Sequence, residues 1–543
     1  MRPKASTLLG LILLGAFALR CINIGFGLPA MYDPDEPLFI LKAYELLDHG
    51  TLNPGWFGHP GSTTIYLLAV VDVLVVLTGM ATGAYSSVPQ FAAAVYADPA
   101  VLFVPSRFAF VFIGVAVVWL TYLVARRLFD APTALLAAAF LALNALHIAW
   151  SQVIRTDIHA SLFMLASLLF AIRAAESGGL RDLVIAGLFA GVATATKWPG
   201  ASILVSSLGA IAYRSLRGSG ARAAAVQLGA LFGAGLVGLF VASPFILLDW
   251  RTVIDNVSGE VAGGHLGHSG RGLAGNLAFY LGDELVRSMG WAGLILACAG
   301  LVLLSLRPVA RVTLLPATLL FLWLISAQSQ IWSRWLTPAL PMLAIAAALA
   351  TTSFVRWLTR RSPARRPVVL ALVGAAALAP SVAGAIGGAR ERANDTRDQA
   401  SAWARANIPR GSTIVVEHLA LDLRGHGWRI LFPLGASGCI DGERALASGV
   451  RYDSVQKSRA GSPIVDIGHV PATRLPSCRA DFGIFTYYDL YRDEAAVYTA
   501  ELDNYRRLAG SGKTVAIFYP LNGRSGGPVT RIVALGQQSS PNR

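Results

Sequence analysis

Charged residues are scarce in this sequence. Only 14% of its 543 residues are Asp, Glu, Lys or Arg, whereas 55% are hydrophobic, and the mean hydropathy is +0.56. Typical soluble domains carry about 25% charged residues, so this composition excludes an ordinary soluble fold. The chain is therefore predicted to be a polytopic α-helical membrane protein.

Cysteines are also few, and the glycine fingerprint of a nucleotide-binding protein is missing. The four cysteines are Cys21, Cys298, Cys439 and Cys478. They lack the close Cys and His spacing of a zinc site. Cys439 and Cys478 both lie in the polar C-terminal region, where we predict a single disulfide between them. We predict no metal constellation.

Basic residues nevertheless exceed acidic ones, 45 to 31, which gives a net charge of +14. In a soluble protein this excess would suggest nucleic-acid binding. Here the basic residues form short clusters between apolar runs, as the topology of a membrane protein requires. Nucleic acid is therefore not a predicted partner.

Apolar runs long enough to cross a bilayer recur along the first 390 residues. We predict about eleven spans, near residues 6–28, 104–125, 131–150, 158–174, 180–197, 200–214, 222–248, 285–306, 311–329, 335–357 and 366–388. The first is interpreted as a retained helix rather than a cleaved signal peptide.

Basic clusters fall in every second loop between these spans. All of them can be cytoplasmic only if residues 61–83 do not cross, so that run is predicted to be re-entrant or interfacial. Asp72 lies in the middle of the run, and a carboxylate at the bilayer centre costs about 2.5–3.5 kcal/mol. This topology places the N-terminus in the cytoplasm and the C-terminus outside.

The polar remainder, residues 390–543, is predicted to be a small extracytoplasmic α/β domain, and residues 1–389 the membrane domain. "STIVVE", "DFGIFTYY" and "KTVAIFYP" have the apolar, β-branched or aromatic composition of short buried strands. "DTRDQASAWARAN" and "DEAAVYTAELDNYRRL" have the pattern of helices. Their alternation along the chain favours the α/β class.

Ionisable residues collect in the loops that this topology places outside. These residues are Asp33, Asp35, Glu36, His59, Arg155, Asp157, Lys197, His265, His268, Arg271 and Arg334. Singly, a loop acid can be solvated, Arg155 and Asp157 can form a structural ion pair, and Lys197 can extend to the interface. Because all of these residues are placed on the outer side of the membrane, we predict that they form one polar site near the outer membrane face.

Local geometry separates the roles of neighbouring residues. If Asp35 and Glu36 begin a helix, their side chains diverge by roughly 100°, so both cannot address one atom. One is expected to act on substrate and the other to support it through hydrogen bonds. Arg155 and Asp157, two residues apart, cannot share a helix face, so their segment is expected to be non-helical if both reach the cavity.

Several motifs, in this order, resemble the GT-C superfamily of lipid-linked-sugar glycosyltransferases, particularly the protein O-mannosyltransferase and aminoarabinose transferase group (glycosyltransferase family 39). They are "DPDEP" after the first span, "HP" before an interfacial helix, "RTD" on the second outer loop, "TKWPG" after the fifth span, "RWLTPALP" before a late span, and "RDQASAWARANIPRGSTIVVE" at the start of the C-terminal domain. The resemblance covers nearly the whole chain. It departs at "FGHPGS", where the family often has Lys-Pro-Pro and where His59 is only partly charged at neutral pH.

The resemblance implies the GT-C fold and transfer of a monosaccharide, a hexose or a pentose, from a polyprenyl-phosphate donor to an acceptor outside the membrane, with inversion. The acceptor is expected to be a lipid, a glycan or a protein, and the location is the inner cell membrane, where the chain is multi-pass. The family contains metal-using and metal-independent members, so a divalent metal stays open.

Residue roles follow from the chemistry of such a transfer, in which a carboxylate accepts the acceptor proton and cations stabilise the leaving phosphate. We predict Asp35 as the general base, Glu36 as its support and Asp157 as the second carboxylate. The predicted phosphate ligands are Arg155, Lys197 and Arg334, with His59 behind them, and the predicted substrate loop carries His265, His268 and Arg271. Asp33 is predicted to be merely solvated.

Two other functional classes remain as alternatives. Intramembrane charges also mark the paths of transporters, so a flippase for lipid-linked sugars is one. Transporters tend to show internal repeats with sites at the bilayer midplane, and this sequence shows neither. The other is a non-catalytic assembly protein that binds envelope glycans through its C-terminal domain.

Overall fold

The computed structural model describes residues 5–262, 265–417, 421–423, 425–449, 466–510 and 512–536. The chain forms two compact units. The membrane unit comprises Met1–Gly25, Asp33–Ala262 and Ser269–Ile386, and the C-terminal unit comprises Phe26–Tyr32, Gly263–His268 and Gly387–Arg543.

Helices make up the chain as far as residue 393. Their bounds are α1 (Ala5–Cys21), α2 (Asp35–Asp48), α3 (Ser62–Ala81), α4 (Val88–Ala97), α5 (Ala100–Leu128), α6 (Ala131–Ala142), α7 (Ala145–Trp150), α8 (Thr156–Ser177), α9 (Leu180–Thr196), α10 (Leu204–Arg214), α11 (Gly220–Ala242), α12 (Phe245–Leu248), α13 (Trp250–Ala262), α14 (Gly272–Ala278), α15 (Val286–Ser305), α16 (Pro308–Val312), α17 (Leu314–Ser326), α18 (Leu340–Leu358) and α19 (Arg366–Ala393). Short 3-10 or π turns extend several of them, at Trp198–Ile203, Ser215–Ser219, Phe279–Leu285, Ser333–Ala339 and Pro363–Arg365.

Many of these helices are long and apolar enough to cross a bilayer. Within the described residues there are 8 such segments: Ser62–Ala81, Ala100–Leu128, Thr156–Ser177, Trp198–Ala242, Gly272–Ser305, Pro308–Ser326, Ser333–Leu358 and Pro363–Ala393. Shorter apolar helices are Ala5–Cys21, Val88–Ala97 and Ala131–Ala142. The chain is therefore a multi-pass membrane protein, and the figure of eleven spans stays a prediction.

The segment predicted to be re-entrant or interfacial forms one continuous helix, α3. A re-entrant segment would reverse direction within the bilayer, so the re-entrant interpretation is wrong. The interfacial interpretation stays a prediction, as does the orientation that depended on it. Asp72 is only 5% exposed within this helix, so its side chain faces protein.

The apolar stretch from 198 to 242 is broken where two predicted spans were separated by basic residues. Gly218 has φ 104° and Gly220 has φ 75°, a backbone conformation that L side chains rarely adopt. The break lies between Arg214 and Arg222, and it separates α10 from α11. Two predicted spans, 200–214 and 222–248, thus correspond to two helices.

Glycines allow α9 and α11 to pack with their backbones in close approach. A Cβ atom at Gly187 would lie 2.4 Å from the carbonyl oxygen of Leu231, and one at Gly191 would lie 2.1 Å from that of Gly235. Close approach of this kind is the usual role of small residues between membrane helices, because lipid offers no hydrophobic drive for helix association. It positions the end of α9, which leads into Lys197.

The C-terminal unit is a mixed sheet with helices. Its strands are β1 (Thr413–Val416), β2 (Arg429–Pro433), β3 (Cys439–Asp441), β4 (Phe482–Phe485), β5 (Lys513–Phe518) and β6 (Thr530–Ala534), and its helices are α20 (Thr396–Asn407), α21 (Gly442–Ala447), α22 (Tyr488–Asp493) and α23 (Thr499–Ala509). The strand order is β3-β2-β1-β4-β6-β5. β1 pairs in parallel with β2 and β4, and the remaining pairs are antiparallel.

The predicted elements of this unit are largely confirmed. Each of the three predicted strands contains an observed one, β1, β4 and β5, and the first predicted helix is α20. The second begins only at Thr499, because the preceding residues turn and place the Tyr498 ring against Tyr491, with centroids 5.5 Å apart. The predicted disulfide between Cys439 and Cys478 is present.

Candidate active site

Asp35 and Glu36 open helix α2, directly after Pro34. The two side chains point to different surroundings, since the Asp35 side chain is 29% exposed and that of Glu36 is 0% exposed. Adjacent helical positions diverge, so the Asp35 carboxylate stays partly accessible while that of Glu36 is enclosed by protein.

Glu36 is held by a guanidinium that sequence reasoning missed. The Nε and Nη2 atoms of Arg107 donate to its two oxygens at 2.9 and 2.6 Å, and the backbone N–H of Ile154 donates to it at 3.0 Å. Arg107 lies in α5 and is itself 0% exposed. An arginine inside a predicted span is a signal of function in its own right, and this one was available in the sequence. Glu36 thus links α2 and α5 to the segment before α8.

Arg155 binds the other two acids of the "DPDE" stretch. Its Nε donates to Asp33 Oδ2 at 3.1 Å and its Nη2 to Asp33 Oδ1 at 2.6 Å, while its Nη1 contacts the Asp35 carboxylate. The Asp33 side chain is only 12% exposed. The prediction that Asp33 is merely solvated was therefore wrong, because the fold brings the guanidinium of a distant segment to it.

Asp157 forms a second cluster with two cations. Lys197 Nζ donates to Asp157 Oδ1 at 2.5 Å, and Arg334 Nε lies 3.9 Å from Oδ2. The side chains of Asp157, Lys197 and Arg334 are 2%, 11% and 6% exposed. Arg334 also stacks on the Trp332 ring, 3.8 Å from its centroid. The positive charges of Arg334 and Arg155 both act on Lys197. The cluster around Asp157 therefore interacts electrostatically with the cluster around Arg155.

Arg155 and Asp157, which belong to these two clusters, differ in backbone conformation. Arg155 is extended and precedes α8 as its N-terminal flanking residue, with φ −144° and ψ 147°. Asp157 lies in the first turn of that helix. The segment is thus non-helical at Arg155 and helical at Asp157, which corrects the expectation that both would lie in irregular chain.

The segment that carries Arg155 is fixed from its other end by a polar network. Gln152 Nε2 donates to the carbonyl oxygens of Arg20 and Ile22 at 2.8 and 2.7 Å. Arg20 donates to His147 Nδ1 at 2.6 Å and to Ser151 Oγ at 3.2 Å. Both Arg20 and Gln152 are buried. This network joins the end of α1 to residues 147–152 and was not predicted.

His59 lies beside Lys197 through the backbone. Its carbonyl oxygen accepts from Trp198 N–H at 3.2 Å, and Pro60 and Lys197 form an isolated antiparallel bridge. The His59 ring packs edge-on to Trp56, with centroids 5.2 Å apart. The "GHP" loop therefore lines the turn that presents Lys197.

The predicted substrate loop divides between the two units. Arg271 belongs to the membrane unit, where its side chain is 63% exposed and lies 3.9 Å from Asp283. His265 and His268 belong to the C-terminal unit, in a turn where His268 N–H donates to the His265 carbonyl at 3.0 Å. Their part in substrate binding stays a prediction.

The charges of the site balance. Asp33, Asp35, Glu36 and Asp157 contact Arg155, Arg107, Lys197 and Arg334, so each carboxylate has a cationic partner. Among the described residues, no group of three His, Cys, Asp or Glu side chains comes together as ligands for a metal ion. Carboxylates already bound to guanidinium or ammonium groups do not fit a divalent cation, so we derive no step through one.

Part of the chain matches a known family. Residues 100–248 match the family model described as dolichyl-phosphate-mannose-protein mannosyltransferase. This range contains Arg107, Arg155, Asp157 and Lys197. No curated protein matches the chain closely enough to count as a relative.

Solved structures extend the likeness over the whole chain. ArnT from Cupriavidus metallidurans in the apo state has a TM-score of 0.53 at 13% identity, with 99% of each chain covered. The same protein bound to undecaprenyl phosphate has a TM-score of 0.50 at 15% identity, again with 99% of each covered. AglB, an oligosaccharyltransferase from Archaeoglobus fulgidus in complex with an inhibitory peptide and a dolichol-phosphate, gives 0.51 at 14%, with 99% of this chain and 75% of that chain covered. At these identities the likeness establishes a common fold.

Proposed function

We propose that this chain is a member of the GT-C superfamily of membrane glycosyltransferases and that it transfers a monosaccharide from a polyprenyl-phosphate donor to an acceptor hydroxyl. The acceptor belongs to a lipid, a glycan or a protein, and the reaction takes place on the extracytoplasmic side of the inner membrane. The fold is shared with ArnT bound to undecaprenyl phosphate and with AglB in complex with a dolichol-phosphate, which supports a lipid phosphate as the carrier.

The graded exposure of the acids carries the proposal. Asp35 is 29% exposed, whereas Glu36 and Asp157 are 0% and 2% exposed. A general base must come within hydrogen-bond reach of the proton that it removes. Asp35 is therefore the base, while Glu36 and Asp157 hold parts of the site in place.

The reaction is a displacement at the anomeric carbon of the donor sugar. The acceptor oxygen forms the new glycosidic bond as its proton passes to the Asp35 carboxylate. The bond from the anomeric carbon to the phosphate oxygen breaks, and the phosphate leaves with the electron pair. Attack from the face opposite the leaving group inverts the configuration.

The leaving lipid phosphate gains negative charge as this bond breaks, and fixed cations stabilise that charge. Lys197, in the turn after α9, and Arg334, in the Ser333–Ala339 segment, supply this positive charge. Arg155 supplies a third charge close to Lys197. Asp157 contacts both Lys197 and Arg334, so its role is to hold the two cations in position for the phosphate.

A panel of donors tests the proposal. The purified protein is incubated in nanodiscs with polyprenyl-phosphate-linked hexoses and pentoses, together with candidate acceptors, and release of the lipid phosphate is measured. Release from one donor with formation of an inverted glycoside is the expected result. If no donor releases its phosphate while the protein stays folded and monodisperse, the proposed function is wrong.

Lys197→Ala separates donor binding from chemistry. Removal of one ammonium from the phosphate site is expected to raise the donor KM by about 10-fold or more, since a charge-assisted hydrogen bond contributes about 1.5–3 kcal/mol. Lys42→Ala, which removes a lysine that pairs with Glu45 on α2, is the matched control. An unchanged donor KM in the Lys197 variant would remove this lysine from the phosphate site.

A further inference from the structure

Asp33 makes more contacts with the site than its place in an acidic loop suggests. It accepts two hydrogen bonds from Arg155, at 3.1 and 2.6 Å, and its Oδ1 also accepts from the backbone N–H of Asp35 at 3.0 Å. Arg155 is only 5% exposed. The Asp33 carboxylate therefore holds both the Arg155 guanidinium and the backbone of Asp35, the proposed base.

The geometry of the guanidinium explains why two acids share it. Asp33 occupies the edge formed by Nε and Nη2, the bidentate arrangement that arginine and carboxylate prefer. This leaves Nη1 to face Asp35. The Trp150 ring, whose centroid lies 5.9 Å from Arg155 Cζ, lies near the guanidinium as well.

A base that pairs alone with an arginine is a poor proton acceptor, because the whole positive charge favours its ionised form. With two acids at one guanidinium, Asp33 takes the bidentate bond and part of that charge. Building on the proposed function, we infer that Asp33 is a positioning residue, which holds Arg155 in place and shares its charge so that Asp35 keeps its strength as a base. Its effect on the reaction passes through Arg155.

Asp33→Asn isolates the charge from the backbone contact. Asparagine keeps an Oδ1 atom that can accept from the Asp35 N–H, as the aspartate does, because both side chains form this turn with the backbone two residues on. In this variant the Arg155 charge acts on Asp35 alone, so kcat is expected to fall about 10-fold to 100-fold, within the range for general-base catalysis. The donor KM is expected to stay equal or to fall, because a negative charge near the phosphate site has been removed.

A double-mutant cycle with Arg155→Gln tests the route of the effect. If Asp33 acts through Arg155, adding Asp33→Asn to Arg155→Gln changes kcat by no more than about 3-fold, because the two changes are then strongly non-additive. Asp48→Asn, an exposed acid at the end of α2, is the control and is expected to leave kcat unchanged. Size-exclusion profiles and unfolding midpoints of all variants are measured in the same detergent.

The outcomes distinguish this inference from the function that it builds on. Additive losses in the cycle, or a rise in donor KM together with a fall in kcat and in unfolding midpoint, would show that Asp33 is only structural and would overturn the inference. The proposed function would survive that result. A wild-type protein that uses no donor would overturn both.

Discussion

Glu36 and Glu417 are both fully buried glutamates, one in each unit, and the two units compensate the charge in different ways. In the membrane unit, the Arg107 guanidinium binds Glu36 through two hydrogen bonds. In the C-terminal unit, Glu417 accepts from the backbone N–H groups of Thr486 and Tyr487 at 2.7 and 2.9 Å, and from the Tyr505 hydroxyl. Within the described part of the chain, no Lys, Arg or His pairs with Glu417.

Sheet topology explains the surroundings of Glu417. It directly follows β1, and Thr486 and Tyr487 directly follow β4, which is the parallel neighbour of β1. Carboxyl ends of parallel strands meet at one edge of a sheet, so strand-end N–H groups converge there on the carboxylate. Burial, with the nearby charge of Asp466, raises the pKa of Glu417 to about 7.

The comparison shows how differently a buried acid can be used. The Arg107 guanidinium compensates the charge of Glu36, and the hydrogen bonds of this carboxylate join α2 to α5 and to the segment before α8. Glu417 is bound only by the N–H and hydroxyl dipoles named above among the described residues, so its pKa stays close to neutral pH. The charge of Glu36 holds segments of the candidate active site together. The charge of Glu417 makes the stability of the C-terminal unit depend on pH.

The largest expected effect comes from removing the cation from Glu36. Arg107→Gln leaves a carboxylate buried without its partner, which costs about 3–5 kcal/mol. We expect a large fall in the thermal unfolding midpoint of the membrane unit, measured in detergent from the temperature dependence of the far-UV circular dichroism of its helices. Arg127→Gln, which breaks the exposed pair with Glu176, is the control and is expected to cost about 0–1 kcal/mol. Equal midpoints for the two variants would contradict the role given to Arg107.

The pH dependence of the C-terminal unit is the next largest effect. The folded unit binds the Glu417 proton more tightly than the unfolded chain, where the ordinary pKa is 4.5. The contribution of Glu417 to the free energy of unfolding of this unit therefore falls as pH rises from about 4.5 to about 7, by on the order of 3 kcal/mol.

Hydrogen exchange of the β1 and β4 amides at pH 5 and 7.5, corrected for intrinsic rates, measures this change. Glu417→Gln is expected to make the protection of these amides nearly independent of pH. The same fall with pH in the variant would assign the effect to another group.

Tyr505→Phe is expected to have the smallest effect of the three. It removes one donor from Glu417 and leaves the two N–H groups, so the cost is about 1–3 kcal/mol. Tyr519→Phe, at a 57% exposed tyrosine of the same unit, is the matched control and is expected to be neutral. Protection of the β1 amides at pH 7.5 reports both variants, and a loss in the control as large as in Tyr505→Phe would contradict the assignment.

Much of the fold was predictable because membrane helices and buried strands leave strong local signals. Apolar runs predicted α5, α8 and α18 within a few residues, and β-branched runs predicted β1 and β5. Residues 61–83 were predicted to be re-entrant or interfacial, and only the re-entrant alternative is wrong, because loop charges give no information on the path of the chain within a segment.

The sequence predicted many of the residues of the candidate site, but not which of them contact each other. Position in the sequence allowed Asp35 and Glu36 to be given different roles, since adjacent helical side chains diverge. It could not give the partner of Glu36, because Arg107 lies 71 residues away in a different helix. Asp33 was misjudged for the same reason, since Arg155, which binds it, lies 122 residues away.

Asp35, whose side chain is 29% exposed, is proposed to be the base for transfer from a lipid phosphate. The most direct test is the rate of lipid-phosphate release by Asp35→Asn at saturating donor and acceptor, with Asp283→Asn as the control. We expect a loss of about 100-fold to 10,000-fold for Asp35→Asn with an unchanged unfolding midpoint, and near wild-type release for the control. Release by folded Asp35→Asn within about 3-fold of wild type would contradict the claim, since removal of a general base costs far more than this.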